Sequence, residues 1–305
     1  MDRIDAIDPS IAVFSLPAQL KTKLPTAEWR FPTLTVSLIS RFMLPVRRGP
    51  VLRNVPANKF EQQQAFRNKG IPTPPAMSFA FGKPLDPIMF GEFVVLKPSD
   101  LNKTSHGDSV FLFRRKRLAA LSHKDLPEGH PLNGKPGNYI VQRFIDTGPQ
   151  PCHYRVQLLF GEVLYCWKQT LNGVRPPLDA SDAEIESAIV ASQGGERNFV
   201  LSAEEDVLAL GARVYEAFPN TPLLGVDIVR EQPSGRLFVL ECNPGGNTWH
   251  FSSSMGKTCR AVLGGAPERS AKEADAAGRL ALINQFGAFD RAAQVLARKT
   301  AELAS

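Results

Sequence analysis

Short apolar runs alternate with Pro-, Gly- and Asp-containing turns through most of the chain. Runs rich in Val, Ile, Leu and Phe that are bounded by turns are typical of β-strands. The pattern predicts strands at 11–15, 33–40, 93–97, 109–113, 138–145, 153–160, 162–169, 223–230 and 237–242. Gly161 separates the sixth run from the seventh, which indicates a tight hairpin.

Helical spacing appears between these runs and dominates the end of the chain. Segment 58–68 is polar and stops at Gly70 and the Pro-rich residues after it, because proline cannot continue a helix. Three Ser-x-x-Glu sequences match the capping box, in which a hydroxyl and a carboxylate satisfy free backbone groups of a first turn. They begin at Ser181, Ser202 and Ser270. Segment 270–303 is Ala-rich, and the whole pattern predicts an α+β fold.

Composition narrows the class of protein. The 305 residues are 43% hydrophobic, which is enough for a buried core. The net charge is +6, but Lys and Arg are spread along the chain apart from short runs such as 114–117, which favours solvated surface over nucleic-acid binding. The four Cys form no CxxC pair, and neither a leader nor a membrane-length apolar stretch is evident. We therefore expect a reduced, cytoplasmic protein with no nucleic-acid or membrane partner.

Segment 224–246 places three oxygen-bearing side chains in two apolar strands. Folding back the turn 231–235 brings Asp227 opposite Glu241 to within about one residue, and Asn243 shares the face of Glu241. Hard oxygen donors without His or Cys suit Mg²⁺, which completes its shell with water and phosphate oxygens. Alternatively, Asp227 ends a strand and the other two begin a polar loop. A carboxylate within an apolar strand is costly unless it is paired or binds a metal, which favours the metal site.

Basic and amide side chains mark three other strands. Lys97 ends an apolar run before Pro98 and a polar loop at 99–109. Such a cation can neutralise phosphate, although a lone strand-end Lys is more often a solvated terminus. Gln142 offers a donor and an acceptor to an adenine edge, with structural core as the simpler interpretation. Arg155 lies on one face of the next strand, where surface exposure is the default.

Read together, these segments resemble the ATP-grasp superfamily in its carboxylate–amine ligase branch, which includes D-alanine:D-alanine ligases and ribosomal-protein glutamate ligases. The resemblance covers residues 50–255, and the hairpin with Asp227 and Glu241 is its most specific part. Its motifs follow the family's order; they are Asn58-Lys59, Gly70-Ile-Pro-Thr-Pro, Leu96-Lys97-Pro98, Val141-Gln142, Arg155, Gly225-Val-Asp227 and Glu241-Cys-Asn243-Pro.

The resemblance implies an ATP-grasp fold in which two α+β lobes hold ATP between them, preceded by a short amino-terminal lobe. The expected lobes are 1–56, 57–145 and 146–305. The resemblance implies that ATP is bound by Lys59 and Lys97 at the phosphates, by Gln142, Arg143 and Phe144 at adenine, and by Asp146 or His153 at the ribose. It implies two magnesium ions, which Mn²⁺ can replace, bound by Asp227, Glu241 and Asn243. The implied contacts to the transferred phosphate or the substrate carboxylate come from Lys97, Arg155 and Arg197.

Three positions depart from the family pattern. Arg143 stands where an acidic residue often follows the hinge Gln, and His153 stands where glutamate ligases carry Asp two residues before the Arg. The loop after Lys97 is polar rather than Gly-rich. The adenine and ribose contacts implied by the resemblance therefore depend on different side chains here.

The implied activity is an ATP-dependent ligase that activates a carboxylate as an acyl phosphate and joins it to an amine in an amide or peptide bond. The expected substrates are small-molecule or peptide acids and amines. A phosphotransferase acting on a hydroxyl and a nucleotide-binding module without catalysis are the alternatives. Trp249 and His250 follow the metal residues and are candidates for substrate contact or core packing.

The pattern also raises a homodimer hypothesis. An amino-terminal lobe as short as 1–56 has little core of its own and would gain stability from a partner. Segment 286–296 carries apolar side chains at helical spacing, which would serve an interface or cover the chain's own sheet.

Overall fold

The computed structural model describes residues 2–14, 31–37, 48–54, 57–99, 110–126, 128, 132, 138–190, 197–245 and 270–304. Within these ranges the chain combines α-helices with three sheets, which confirms the predicted α+β class. The strands are β1 (Thr35–Ser37), β2 (Val51–Arg53), β3 (Ala76–Ser78), β4 (Phe93–Pro98), β5 (Phe111–Arg114), β6 (Tyr139–Arg143), β7 (Cys152–Leu159), β8 (Glu162–Leu171), β9 (Arg197–Leu201), β10 (Leu223–Arg230) and β11 (Leu237–Pro244). The helices are α1 (Asp2–Asp5), α2 (Lys59–Asn68), α3 (Pro87–Phe90), α4 (Arg115–Ala120), α5 (Asp182–Glu186), α6 (Glu205–Arg213), α7 (Ala271–Asn284) and α8 (Ala288–Leu303).

The amino-terminal strands are fewer than the sequence predicts. The run 33–40 contains β1, which pairs in parallel with β2. The described part of the run 11–15 forms no strand, so that prediction is wrong. Ile11 and Val13 instead pack around Ile4 and α8, so this apolar run is used in packing without a strand to pair with.

A four-stranded sheet has the order β3-β6-β4-β5, with every neighbouring pair antiparallel. Alternate residues point to opposite faces. Leu96 and Val141 therefore enter a buried core on one face, while Val95 and Gln142, which lie opposite each other, share the other face with Lys97. The predicted strands 93–97 and 138–145 are confirmed with shifted ends.

A five-stranded antiparallel sheet has the order β11-β10-β7-β8-β9. Gly161, with φ of +85°, lies in the predicted turn between β7 and β8. One face packs on α6 through Val156, Val226 and Ile228. The opposite face is covered at one end by α8 with β1 and β2. Its other end carries Arg155 and Asp227, which lie opposite each other on β7 and β10.

Helix starts follow local hydrogen bonds in most of the predicted places. The capping boxes at Ser181 and Ser270 are confirmed, and Asn58 with Glu61 forms a third at the start of α2. The box at Ser202 is wrong, because α6 begins at Glu205 after a cap at Glu204. The backbone of Ser202 is already engaged: its N–H donates to the carbonyl of Cys166 at 3.0 Å, and its carbonyl accepts from the side chain of Gln285 at 2.8 Å.

The basic run 114–117 joins neighbouring elements inside the protein. Arg114 donates to the carboxylate of Asp182 at 2.7 Å and to two backbone carbonyls at 2.8 Å. Arg115 binds the carbonyls of Leu85 and Gly91, and Arg117 pairs with Glu186. These three side chains therefore hold α4 and β5 against adjacent segments. None of the helices among the described residues has the length and apolar character that a membrane span requires.

Candidate functional site

A cleft lies between the face of the four-stranded sheet that carries Val95, Lys97 and Gln142 and the uncovered end of the five-stranded sheet. Charged side chains from three elements line part of it: Lys59 from α2, Lys97 from β4, and Asp227 and Glu241 from the β10–β11 hairpin. Apolar side chains line much of the rest, namely Val95, Phe144, Ile145, Val190, Val229 and Leu240. The cleft therefore suits a ligand with one flat apolar part and one anionic part.

A β-bulge in the hairpin sets the position of the two acids. Asp227 pairs with Glu241, as predicted, but the next residue, Ile228, pairs with Val239. Leu240 is therefore the extra residue of a bulge, and such an insertion re-aims the side chains beside it. Both Leu240 and Glu241 consequently line the cleft, although successive residues of a regular strand would face opposite sides.

Arg155 holds Asp227 by a two-pronged ion pair. The Arg155 Nε contacts Asp227 Oδ1, and one terminal nitrogen lies 2.8 Å from Asp227 Oδ2. The Asp227 Oδ2 also accepts from Asn243 Nδ2 at 3.2 Å. Gly225 makes room for this arrangement, because a β-carbon there would lie 3.1–3.2 Å from the Arg155 side chain. The glycine two residues before the acid is thus a packing requirement as well as part of a motif.

Lys59 and Lys97 bring two buried positive charges to the same place. Lys59 Nζ lies 3.0 Å from Glu241 Oε2, and both lysines are more than nine-tenths buried. Burial, and next the charge of Lys59, lower the pKa of Lys97 to about 8. Burial acts to raise the pKa of Glu241, but the charges of Lys59, Lys97 and Arg155 outweigh it and lower that pKa well below its ordinary value. The carboxylate of Glu241 is therefore ionised at neutral pH.

His153 lines the cleft beside Asp227, with its Nε2 3.8 Å from Asp227 Oδ1. Burial, opposed in part by the charge of Asp227, lowers the pKa of His153 below its ordinary value. The imidazole is therefore neutral at pH 7, and the separation is longer than a hydrogen bond.

The three residues predicted to contact adenine all line the cleft. Gln142 is 3% exposed, and its Nε2 has no hydrogen-bond partner in the described part of the chain. Leaving a buried amide N–H without a hydrogen-bond partner costs free energy. The open donor of Gln142 is therefore what we expect of a group that donates to a bound ligand. Arg143 also pairs with Glu231 of the β10–β11 turn at 3.0 Å, so it ties the four-stranded sheet to the hairpin.

Arg175 is a cleft residue that the sequence did not indicate. It follows β8 in a Pro-rich loop, and its guanidinium lies over the ring of Phe144 at 5.8 Å. One terminal nitrogen donates to Asp146 Oδ1 at 2.7 Å, and that oxygen also accepts from the Gly148 N–H. Asp146 is thus engaged by protein groups, whereas His153, the other residue predicted at the ribose, faces the cleft. Cys152 was likewise missed, because a single thiol carries no recognisable pattern.

The remaining predicted residues are not among those that line the cleft or fall outside the described ranges. Arg197 begins β9 and is not among the residues that line the cleft, although its charge contributes to the low pKa of His153. The loop residues 100–109 and the candidates Trp249 and His250 fall outside the described residues.

The donor set fits magnesium by its chemistry. Asp227, Glu241 and Asn243 supply hard oxygen atoms, and Asp227 and Asn243 are already in contact. No group of three or more His, Cys, Asp or Glu side chains suited to a metal occurs in the ranges described above. A magnesium site built from these side chains would need the amide oxygen of Asn243 beside the carboxylates of Asp227 and Glu241.

The chain matches no protein-family model, and no curated protein is significantly similar to it. Solved structures with similar chain traces include D-cycloserine synthetase DcsG, at 16% identity and a TM-score of 0.48 over 82% of this chain and 74% of that one. D-Alanine–D-alanine ligase from Bacillus anthracis is 15% identical with a TM-score of 0.45, over 79% of this chain and 68% of that one. L-Amino acid ligase from Bacillus licheniformis is 14% identical with a TM-score of 0.43, over 76% of this chain and 49% of that one.

Proposed function

We propose that the chain is an ATP-grasp carboxylate–amine ligase that binds Mg-ATP in this cleft. The supporting observation is the meeting of two buried lysines with an acidic pair in a cleft whose other walls combine apolar side chains with Gln142, Arg143 and Arg175. An apolar slot suits a nucleobase, and the lysines suit the phosphates attached to it. The order of the sequence motifs supports the same assignment, with lobes 57–145 and 146–305 contributing opposite walls.

The proposed reaction has two steps. A carboxylate oxygen of the acid attacks the γ-phosphorus, the bond to the bridging oxygen breaks, and ADP leaves with the electron pair. The amine nitrogen then attacks the carbonyl carbon of the acyl phosphate, inorganic phosphate leaves, and the amine proton passes to solvent. Activation is needed because a carboxylate repels nucleophiles and has no good leaving group.

The residues of the cleft contribute position and charge to these steps. Lys59 and Lys97 would neutralise the phosphates and hold them in line for transfer. Asp227, Glu241 and Asn243 would hold magnesium, which supplies further charge neutralisation at phosphate oxygens when bound. Arg155 fixes the orientation of Asp227 through its two contacts. A direct contact of Arg155 or Arg197 with the transferred phosphate or the substrate carboxylate is a further part of the proposal.

An acceptor screen tests the proposal. The protein is incubated with Mg-ATP and a panel of amino acids and short peptides, singly and in pairs, and release of ADP and phosphate is recorded. A ligase gives release that depends on both an acid and an amine, and a product whose mass is their sum less one water.

The same screen, together with a titration of the protein with ATP that measures nucleotide binding, separates the alternatives. A stable phosphoester with no inorganic phosphate would indicate a phosphotransferase. Tight nucleotide binding without turnover under any pair would indicate a binding module. Failure to bind any nucleotide would overturn the assignment of the cleft.

A further inference from the structure

Among the described residues, strand β11 lies at the edge of the five-stranded sheet and pairs with β10 on one side. The outward backbone groups of an edge strand need other partners when they are buried. Helix α2 and the segment after it provide these partners. Thr73 Oγ1 donates to the Val239 carbonyl at 2.9 Å, and Gln63 Nε2 donates to the Leu240 carbonyl at 3.2 Å.

The side chain of Gln62 makes the hydrogen bonds that a neighbouring strand would otherwise make with β11. Its Nε2 donates to the Cys242 carbonyl at 2.9 Å, and its Oε1 accepts from the Cys242 N–H, also at 2.9 Å. One side-chain amide therefore satisfies both backbone groups of a single residue, as the facing residue of an antiparallel neighbouring strand would. Gln62 is 1% exposed, so water cannot readily replace these bonds.

The residue held in this way lies between two of the proposed metal ligands. Cys242 follows Glu241 and precedes Asn243, so fixing its peptide groups limits the rotation of both neighbours. The same helix carries Lys59 one turn before Gln62, and Lys59 contacts Glu241 at 3.0 Å. Helix α2 is also tied to the four-stranded sheet, because Arg67 donates to the Ala76 carbonyl at 3.1 Å.

We propose that Gln62 is a positioning residue that aligns Glu241 and Asn243 for the metal–nucleotide complex by binding the backbone of Cys242. The proposal rests on the function proposed above. Gln62 does not itself contact the nucleotide or the metal. It acts by holding the backbone of β11. Because Gln62 and Lys59 lie on the same helix, it also keeps Lys59, which is proposed to bind phosphate, in a fixed position relative to the β10–β11 hairpin.

The test compares Gln62→Met with the control variant Arg67→Met. Methionine has a similar length to glutamine but replaces neither hydrogen bond to Cys242, and it also loses the bond from Gln62 Nε2 to the Ala57 carbonyl at 3.0 Å. Arg67→Met removes a side chain-to-backbone bond from the same helix without touching β11, so it reports the general effect of loosening α2. Melting curves establish that both variants are folded.

Two measurements decide the result. Hydrogen exchange in the free protein should show faster exchange of the Cys242 N–H in Gln62→Met only. The Kd for Mn²⁺ in the presence of ADP, measured by electron paramagnetic resonance, should rise about 10-fold or more in Gln62→Met, since groups that orient metal ligands typically control affinity to this extent. Arg67→Met should leave both measurements near those of the wild type.

Other outcomes have distinct meanings. A wild-type Kd in Gln62→Met, with tight Mn²⁺ and ADP binding by the wild type, would overturn the positioning role and leave the proposed function standing. Absence of nucleotide-dependent Mn²⁺ binding by the wild type would contradict the proposed function itself. If Gln62→Met does not fold, Gln62→Glu keeps the acceptor for the Cys242 N–H but loses the donor to its carbonyl. A weaker Mn²⁺ affinity in that variant supports the role, and an unchanged affinity overturns it.

Discussion

At the residue scale, the cleft balances its buried charges in specific pairs. Asp227 is held by Arg155, and Glu241 is held by Lys59. A buried charge without a partner at these positions would bear the full cost of losing water, and each ion pair offsets part of that cost. Lys97 is the cation whose pKa burial and Lys59 lower to about 8, which makes it the most sensitive to an arriving anion.

The first prediction concerns Glu241→Gln. The amide keeps the shape of the side chain but removes a charge proposed to bind the metal, so we expect turnover to fall at least about 100-fold. The variant should remain folded while losing about 1–3 kcal/mol of unfolding free energy, because Lys59 loses its buried partner. Urea titration and ADP-release assays measure the two effects. Glu162→Gln is the control, because Glu162 is a half-buried carboxylate that pairs with Arg298 and does not line the cleft. Near-normal turnover in Glu241→Gln would show that the metal assignment is wrong.

The second prediction concerns the proton on Lys97. In the free protein at pH 8 about half of the Lys97 side chains are neutral, since its pKa is about 8. Bound phosphate favours the charged form and raises that pKa, so Lys97 should contribute an uptake of about half a proton at pH 8 and almost none at pH 6 when ATP binds without divalent ions. Affinity should consequently decline as pH rises above 8.

Calorimetry in buffers of different ionisation enthalpy measures this uptake. Lys97→Arg is the matched control, because a guanidinium stays charged throughout this range. Equal proton uptake by the wild type and by Lys97→Arg would show that another group is responsible.

The importance of the two acids in the β10–β11 hairpin could be predicted, because a charged side chain is unusual in an apolar strand. A carboxylate in an apolar strand draws attention to Asp227 and Glu241 from the sequence alone. Arg175 gives no such signal, because an Arg in a Pro-rich loop is ordinarily solvated. Its burial depends on Asp146 and Phe144, which are distant along the sequence and become neighbours only in the folded chain.

At the scale of single elements, local signals succeeded where only neighbouring residues were needed. The capping boxes at Ser181 and Ser270 form within one turn of helix. The box at Ser202 failed because bonds to Cys166 and Gln285 hold that residue outside the helix. The sequence predicted the pairing of Asp227 with Glu241 to within about one residue, but it did not predict the bulge at Leu240. The register of a strand depends on its partner strand, which the local sequence does not specify.

The third prediction tests how closely α6 must approach β7, the strand of Arg155. A β-carbon at Gly211 would lie 2.8–2.9 Å from atoms of Val156. Gly211→Ala should gain about 1 kcal/mol in helix propensity but lose about 1–3 kcal/mol to overpacking. We expect net destabilisation in urea unfolding. Combining it with Val156→Ala, which removes the two clashing methyl groups and leaves only the β-carbon of residue 156, should cost less than the sum of the two single changes. A stabilised Gly211→Ala variant would show that the helix shifts freely.

At the scale of the whole molecule, one face of the five-stranded sheet serves two purposes. The cleft uses one end, and α8 with the amino-terminal strands covers the other. The strands were predictable from their apolar runs. Which end of the sheet forms the cleft and which end is covered could not be predicted. The positions of Ala-rich α8 and of the short strands β1 and β2 depend on packing against residues that are distant along the sequence. The lobe boundaries at 56/57 and 145/146 stay predictions, and so does a homodimer.

The last prediction concerns α8, the segment from which self-association was considered. Ala288, Ala292 and Val295 lie in a buried cluster with Trp167 of β8, so the apolar stripe already covers the chain's own sheet. Val295→Ala should therefore lower the unfolding free energy by about 2 kcal/mol, while the mass measured by light scattering stays that of the wild type. Gln294→Ala, at an exposed position of the same helix, should change neither quantity appreciably. If Val295→Ala instead lowered the measured mass, or made the melting temperature depend on protein concentration, the stripe would be a subunit interface and the intramolecular role of α8 would be wrong.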